Sequence, residues 1–143
     1  MPVTLALSVA GLGTSAYLTY THYAEPAALA CPDTGVVNCV KVTTSSESMV
    51  GPVPVAVLGI VFFAGMLLLS LPWMWRARNP WVSRARLAGV AVGMVSVLYL
   101  VGVELLSLHA ICLWCTAVHV LTFALFVACL AAASEWSEVR SGR

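Results

Sequence analysis

The chain has 143 residues, 61% of them apolar and only 9% charged, and seven Lys and Arg against six Asp and Glu leave a net charge of +1. Soluble domains are roughly 45–50% apolar and about 25% charged, so a soluble globular enzyme is excluded. Disorder and nucleic-acid binding are excluded too, since one needs high net charge and the other a basic surface. What remains is an integral, multi-pass membrane protein with room for about four spans of ~20 residues and no attached soluble domain.

The predicted fold class is therefore an all-α membrane protein, a four-transmembrane-helix bundle forming one domain over residues 1–143. In hydrocarbon every backbone N–H and C=O must be paired within its own segment, so long apolar runs are helices. The first is expected over 3–20, inside a stretch from Val3 to Tyr23 without a charged side chain. Ala28-Leu29-Ala30-Cys31 resembles a lipoprotein cleavage box, but no Lys or Arg precedes the apolar run and roughly ten residues, with Glu25 and Pro26 among them, separate run from cysteine. The segment is read as a retained helix, with His22 at the interface.

The long loop 21–53 follows, and within it Cys31 and Cys39 bracket a polar, turn-rich stretch of seven residues. A second helix is expected over 54–75. A short link, 76–86, carries Arg76, Arg78, Arg84 and Arg86 beside Trp73, Trp75 and Trp81. The positive-inside rule puts this link in the cytoplasm, along with Arg140 and Arg143, and the tryptophans form its interfacial belt. Both termini are then cytoplasmic, and loop 21–53 and the turn at 108–112 lie on the opposite side. Six of the seven basic residues are Arg and Ala and Val are abundant, which leans towards a prokaryotic cell membrane.

The third helix is expected over 87–108. Its Glu104 is the one carboxylate within the spans, and it either pairs with His109, takes up a proton near the interface, or faces water. The fourth, over 111–133, opens on Cys112-Leu113-Trp114-Cys115. Residues at i and i+3 of a helix share a face with Cβ atoms about 5–6 Å apart, close enough to bridge after slight adjustment. The helix N-terminus also favours a thiolate, the reactive form of cysteine. Cys112, Cys115, His119, Thr122, Phe126 and Cys129 fall on one stripe facing the bundle interior. Cys129 lies about 21 Å deeper than Cys115 and is read as a spectator.

All four remaining cysteines thus share the oxidising face. Three readings fit them: a four-sulfur zinc site, two structural disulfides, or a reactive dithiol relay, and the relay is preferred. A bilayer-held chain does not need zinc to fold, so no metal ligands are assigned. His119, ionisable within a span, is either satisfied by a backbone carbonyl or a hydrogen-bond donor to the carbonyl of a bound quinone. Gly11, Ser15, Gly59, Gly89 and Gly93 are expected to let helices approach closely.

Four helices in this order, the loop pair running into Cys39-Val40-Lys41-Val42 and Thr44-Ser45, the stretch Gly51-Pro52-Val53-Pro54-Val55-Ala56-Val57-Leu58-Gly59, and Ile111-Cys112-Leu113-Trp114-Cys115-Thr116-Ala117-Val118-His119 together resemble the vitamin K epoxide reductase family over nearly the whole chain. The disulfide-forming quinone reductases of the B type share the chemistry but carry the two cysteine pairs in the opposite order. The resemblance implies a membrane thiol oxidoreductase in which Cys31 takes electrons from a thioredoxin-like protein and Cys39 exchanges with Cys112. Cys115 would then face a quinone of the menaquinone, ubiquinone or vitamin K type. It implies a quinone site at Cys115, His119, Trp114, Val55 and Gly59, with Ser45 and Glu104 in support. His119 stands where animal members have a tyrosine, and Val55 where they have an asparagine, so that side chain's hold on the quinone is missing. The chain stops at Arg143 without the thioredoxin-like domain many bacterial members append, which implies a separately encoded partner. Two rivals remain: a reductase that recycles quinone or its epoxide, and a soft-metal transporter in which Cys129 hands the ion onward.

Overall fold

A computed structural model describes residues 2–76 and 79–141; Met1, Arg78 and Arg143 lie outside them, as does the side chain of Arg140. The long helices are α1 (Pro2–Ala24), α3 (Val55–Leu69), α5 (Pro80–Gly102) and α6 (Leu113–Ser141), with short helices α2 (Cys39–Thr43) and α4 (Pro72–Arg76) between them. Among the described residues Pro2–Ala24, Pro80–Leu108 and Leu113–Ser134 are long and apolar enough to cross a membrane, and Val55–Leu69 is a shorter apolar helix.

The expected second helix, 54–75, is interrupted. It ends at Leu69, Ser70 closes it, and the chain restarts as α4 at Pro72. Proline has no N–H to donate and crowds the carbonyl four residues back, so the ladder cannot pass it. The break leaves the Leu69 carbonyl free, and Arg86 Nε donates to it at 2.8 Å while its guanidinium sits 3.9 Å over the Trp75 ring. The third helix begins earlier than expected, at Pro80, because Asn79 caps it by accepting from the Trp81 N–H at 2.9 Å and proline suits the first helical position. Arg84 and Arg86 are therefore helical, not part of the link.

α1 packs on α3 and α6, and α5 closes the bundle against α6. The small residues act as expected. Gly11 lies under the Phe63 ring, Cβ positions at Gly59 and Gly93 would fall 2.7 Å from Ser15 Oγ and from Phe62, and Met66 sulfur would meet one at Gly89 at 3.1 Å. Two buried clusters result. One, at the arginine end, holds Phe63, Met66, Val90, Leu125 and Cys129. The other, at the cysteine end, holds Leu18, Leu29, Cys39, Val42, Ala110 and Cys112. A two-stranded hairpin, β1 (Met49–Val50) and β2 (Val53–Pro54), turns at Gly51 with φ 62°, which glycine adopts without strain, and leads into α3.

Candidate functional site

α5 does not run straight into the turn before Cys112. Val103–Leu108 form a wider, π-helical turn, stopped by His109 in the left-handed region at φ 50°. The π-turn carries Glu104 inward, where its Oε2 accepts from the Cys112 N–H at 3.4 Å. Glu104 neither faces water nor pairs with the exposed His109: it is buried and its carboxylate faces Cys112, a setting the sequence reading did not anticipate.

α6 starts at Leu113, two residues beyond the start expected at 111, and Cys112 occupies its cap position. Its carbonyl accepts from Thr116 N–H at 2.8 Å, and its sulfur accepts from Cys115 N–H at 3.2 Å. The Cys115 thiol, and then the backbone N–H groups of Cys115 and Trp114, hold the Cys112 pKa below the ordinary thiol value despite burial and the nearby Glu104 carboxylate.

The loop dithiol is closed as a Cys31–Cys39 disulfide with Cα atoms 6.0 Å apart, while Cys112, Cys115 and Cys129 are free. Three sets of bonds hold the loop against α6. Asn38 N–H donates to the Ile111 carbonyl at 3.1 Å and Ile111 N–H to the Val36 carbonyl at 2.8 Å, a parallel bridge that sets Val37, two residues before Cys39, opposite the residue before Cys112. Trp114 Nε1 donates to the Ala30 carbonyl at 2.9 Å and its ring meets that of Tyr17 at a tilt of 55°, the Tyr17 hydroxyl accepting from Ala30 N–H at 3.2 Å. Lys41 Nζ donates to the Leu108 carbonyl at 2.7 Å. Cys39 is 1% exposed and Cys112 0%, within one cluster. Cys31 is only half-buried and borders a surface depression with Pro32, Asp33 and Lys41.

Beside α6 lies an apolar cavity of about 630 Å³. Its wall brings together Cys115, His119, Glu104, Val55, Gly59 and Ser45, six of the residues singled out from sequence. Cys112 stands behind Cys115, outside the wall. Trp114 does not join the wall either, because its indole is engaged with Ala30 and Tyr17. Ser45 acts at one remove from the disulfide: its hydroxyl donates to the Val42 carbonyl at 2.8 Å and closes α2, which carries Cys39. His22 takes part as well, its Nδ1 3.1 Å from the Thr43 carbonyl and its ring at the cavity mouth. Leu58, Val92, Val95 and Tyr99 line the cavity and are exposed, so it opens sideways between α3 and α5.

A family model described as the vitamin K epoxide reductase family matches residues 2–130. The chain belongs to this family. Membership makes it a membrane oxidoreductase with disulfide-forming cysteines, of the quinone-linked thiol type. No curated protein matches the chain closely enough to add detail. The anchors that sequence reading missed in this vitamin K epoxide reductase relative are Asn38, Lys41 and Tyr17. Only Asn38 left a signal: an Asn directly before a short helix is a cap, and its Oδ1 accepts from Lys41 N–H at 2.8 Å. The other two act across the fold and have no local pattern.

Proposed function

We propose that the protein moves two electrons from a thioredoxin-like thiol protein, through Cys31 and Cys39 and then Cys112 and Cys115, to a quinone in the membrane. The observation that carries this reading is the joint placement of Cys39 beside Cys112 in one buried cluster and of Cys115 on the wall of a laterally open apolar cavity. In the state described, the loop pair is oxidised and the helical pair reduced. Cys112 has the thiolate character needed to attack the Cys115 sulfur once that sulfur is bonded to the acceptor ring, which would leave with the electron pair. As their disulfide forms, the pair gives up two electrons and two protons, and the acceptor ring takes both. The reduced loop then restores the pair: Cys39 attacks Cys112, Cys115 leaves as thiolate, and Cys31 resolves the link at Cys39.

The cavity suits a quinoid ring of menaquinone, ubiquinone or vitamin K type: it is mostly apolar, open to lipid, and carries His119 as a donor. Thiol pairs span roughly −270 to −120 mV, so an acceptor of higher potential draws the electrons forward. In this reading all four long helices cross the bilayer. The 15 residues of α3 reach only ~22 Å of a ~30 Å core, and α4 with Trp73 and Trp75 completes the span at the interface. The arginine end is cytoplasmic and the cysteine end extracytoplasmic.

The test is quinone reduction in proteoliposomes with a thioredoxin-like donor. Cys115→Ala is expected to fall to background, and Cys115→Ser to accumulate a Cys39–Cys112 link visible as a mobility shift on non-reducing gels. Wild-type turnover by Cys115→Ala overturns the assignment.

A further inference from the structure

Four of the serines and threonines of α1 behave alike, and Ser15 does not. Ser8 donates to the Thr4 carbonyl at 2.8 Å, Thr14 to Ala10 at 2.9 Å, Thr19 to Ser15 at 2.8 Å, and Thr21 to Tyr17 and Leu18 at 3.2 and 3.1 Å. This return to the preceding turn is what a serine or threonine does inside a helix with no water or partner nearby. Ser15 is 1% exposed, yet its Oγ has no hydrogen-bond partner among the described residues. Instead of returning to its own helix it faces Gly59 across the α1–α3 seam, where a Cβ would approach it to 2.7 Å, and it lines the cavity.

Two other buried polar groups on that wall have partners. Thr122 donates to the Val118 carbonyl at 2.8 Å, and Glu104 accepts from Cys112 N–H. That leaves Ser15 on α1 and His119 on α6 as the buried polar side chains of the wall with no protein partner among the described residues. The large majority of buried polar groups in native proteins are satisfied, and Ser15 is a buried donor without a protein acceptor at the edge of a ligand-sized apolar space.

We propose that Ser15 Oγ donates a hydrogen bond to a ring oxygen of the acceptor, a second polar hold beside His119 that orients the ring against Cys115. The inference rests on the quinone reading above. It makes Ser15 a ligand-binding residue that rewards an oxygen at the ring and ignores the ring's hydrocarbon.

The experiment uses the full chain in detergent, with dithiothreitol as donor, menadione as acceptor and methylnaphthalene, the same skeleton without oxygens, as competitive inhibitor. Ser15→Ala is expected to raise the KM for menadione roughly fivefold to tenfold, the size of one lost hydrogen bond. Its inhibition by methylnaphthalene is expected to match wild type, showing that the cavity is intact. Ser15→Thr, which keeps the hydroxyl, stays near the wild-type KM. An unchanged KM in Ser15→Ala overturns the proposal, as does a parallel loss of methylnaphthalene binding or a Ser15→Thr variant as impaired as the alanine. A wild-type protein that reduces no menadione removes the functional reading itself, and this inference with it.

Discussion

At the scale of single residues the two cysteines of Cys-Leu-Trp-Cys stand three positions apart across the start of the helix. Cys112 is the cap, with its sulfur receiving the N–H of Cys115, while Cys115 lies within the first turn and faces the cavity. The Cys115 thiol is the largest of the influences that hold Cys112 towards thiolate. Cys115→Ala is therefore expected to raise the Cys112 pKa, seen as an upward shift of the thiolate ultraviolet absorbance in a pH titration. Linkage fixes the sign for stability. A thiol depressed in the folded state adds stability above its unfolded value, and that contribution fades as pH falls through the folded one. The stability gap between wild type and Cys115→Ala, measured by thermal unfolding without oxidant, should widen as pH rises. A gap independent of pH would place the thiolate elsewhere.

At the scale of elements, the close approach of α1 and α3 hangs on glycine. Gly11 has the buried Phe63 ring in the space a Cβ would fill, whereas Gly65 on α3 has nothing within 4 Å. Gly11→Ala is expected to destabilise by about 1–3 kcal/mol through overpacking, and Gly65→Ala to be neutral or better, when both are unfolded thermally in detergent. The cap on α2 gives a second expectation. Asn38→Ala removes the acceptor for Lys41 N–H, costs about 1 kcal/mol, and slows exchange between the loop pair and Cys112 in a stopped-flow assay, because α2 carries Cys39. How much of this was legible follows from what each signal measures. Hydropathy located all four long helices and the small-residue seam, because both are written in local composition. It missed the break after Leu69, since apolarity continues through Pro72 to Trp75 while the hydrogen-bond ladder does not. The π-turn that aims Glu104 at Cys112 leaves no pattern in the sequence, and neither does the engagement of Trp114 with a carbonyl 84 residues away.

At the scale of the whole molecule, the grouping of the cysteines was readable because charge asymmetry and helix parity sort loops by side, and the backbone pairing of Asn38 with Ile111 then holds the two pairs together. The cavity was not readable, because it is the space the four long helices leave between them and belongs to no segment. Its opening between α3 and α5 sets the last expectation. Val95 is 68% exposed on that rim, remote from the sulfurs in sequence and on a different helix. A lipid-dissolved, prenylated acceptor must pass the rim with its tail still outside, whereas a short-chain analogue leaves nothing in the opening. Val95→Trp, which fills the gap without touching Cys115, His119 or Ser15, is expected to raise the KM for a prenylated quinone by roughly tenfold, equivalent to about 1.4 kcal/mol. The KM for menadione should move less than twofold, since a short ring needs only the inner cavity. Equal effects on the two substrates, or none on either, would mean that the ring enters from the cysteine end between His22 and Ser45, and that the opening between α3 and α5 is merely where lipid fills an uneven helix surface.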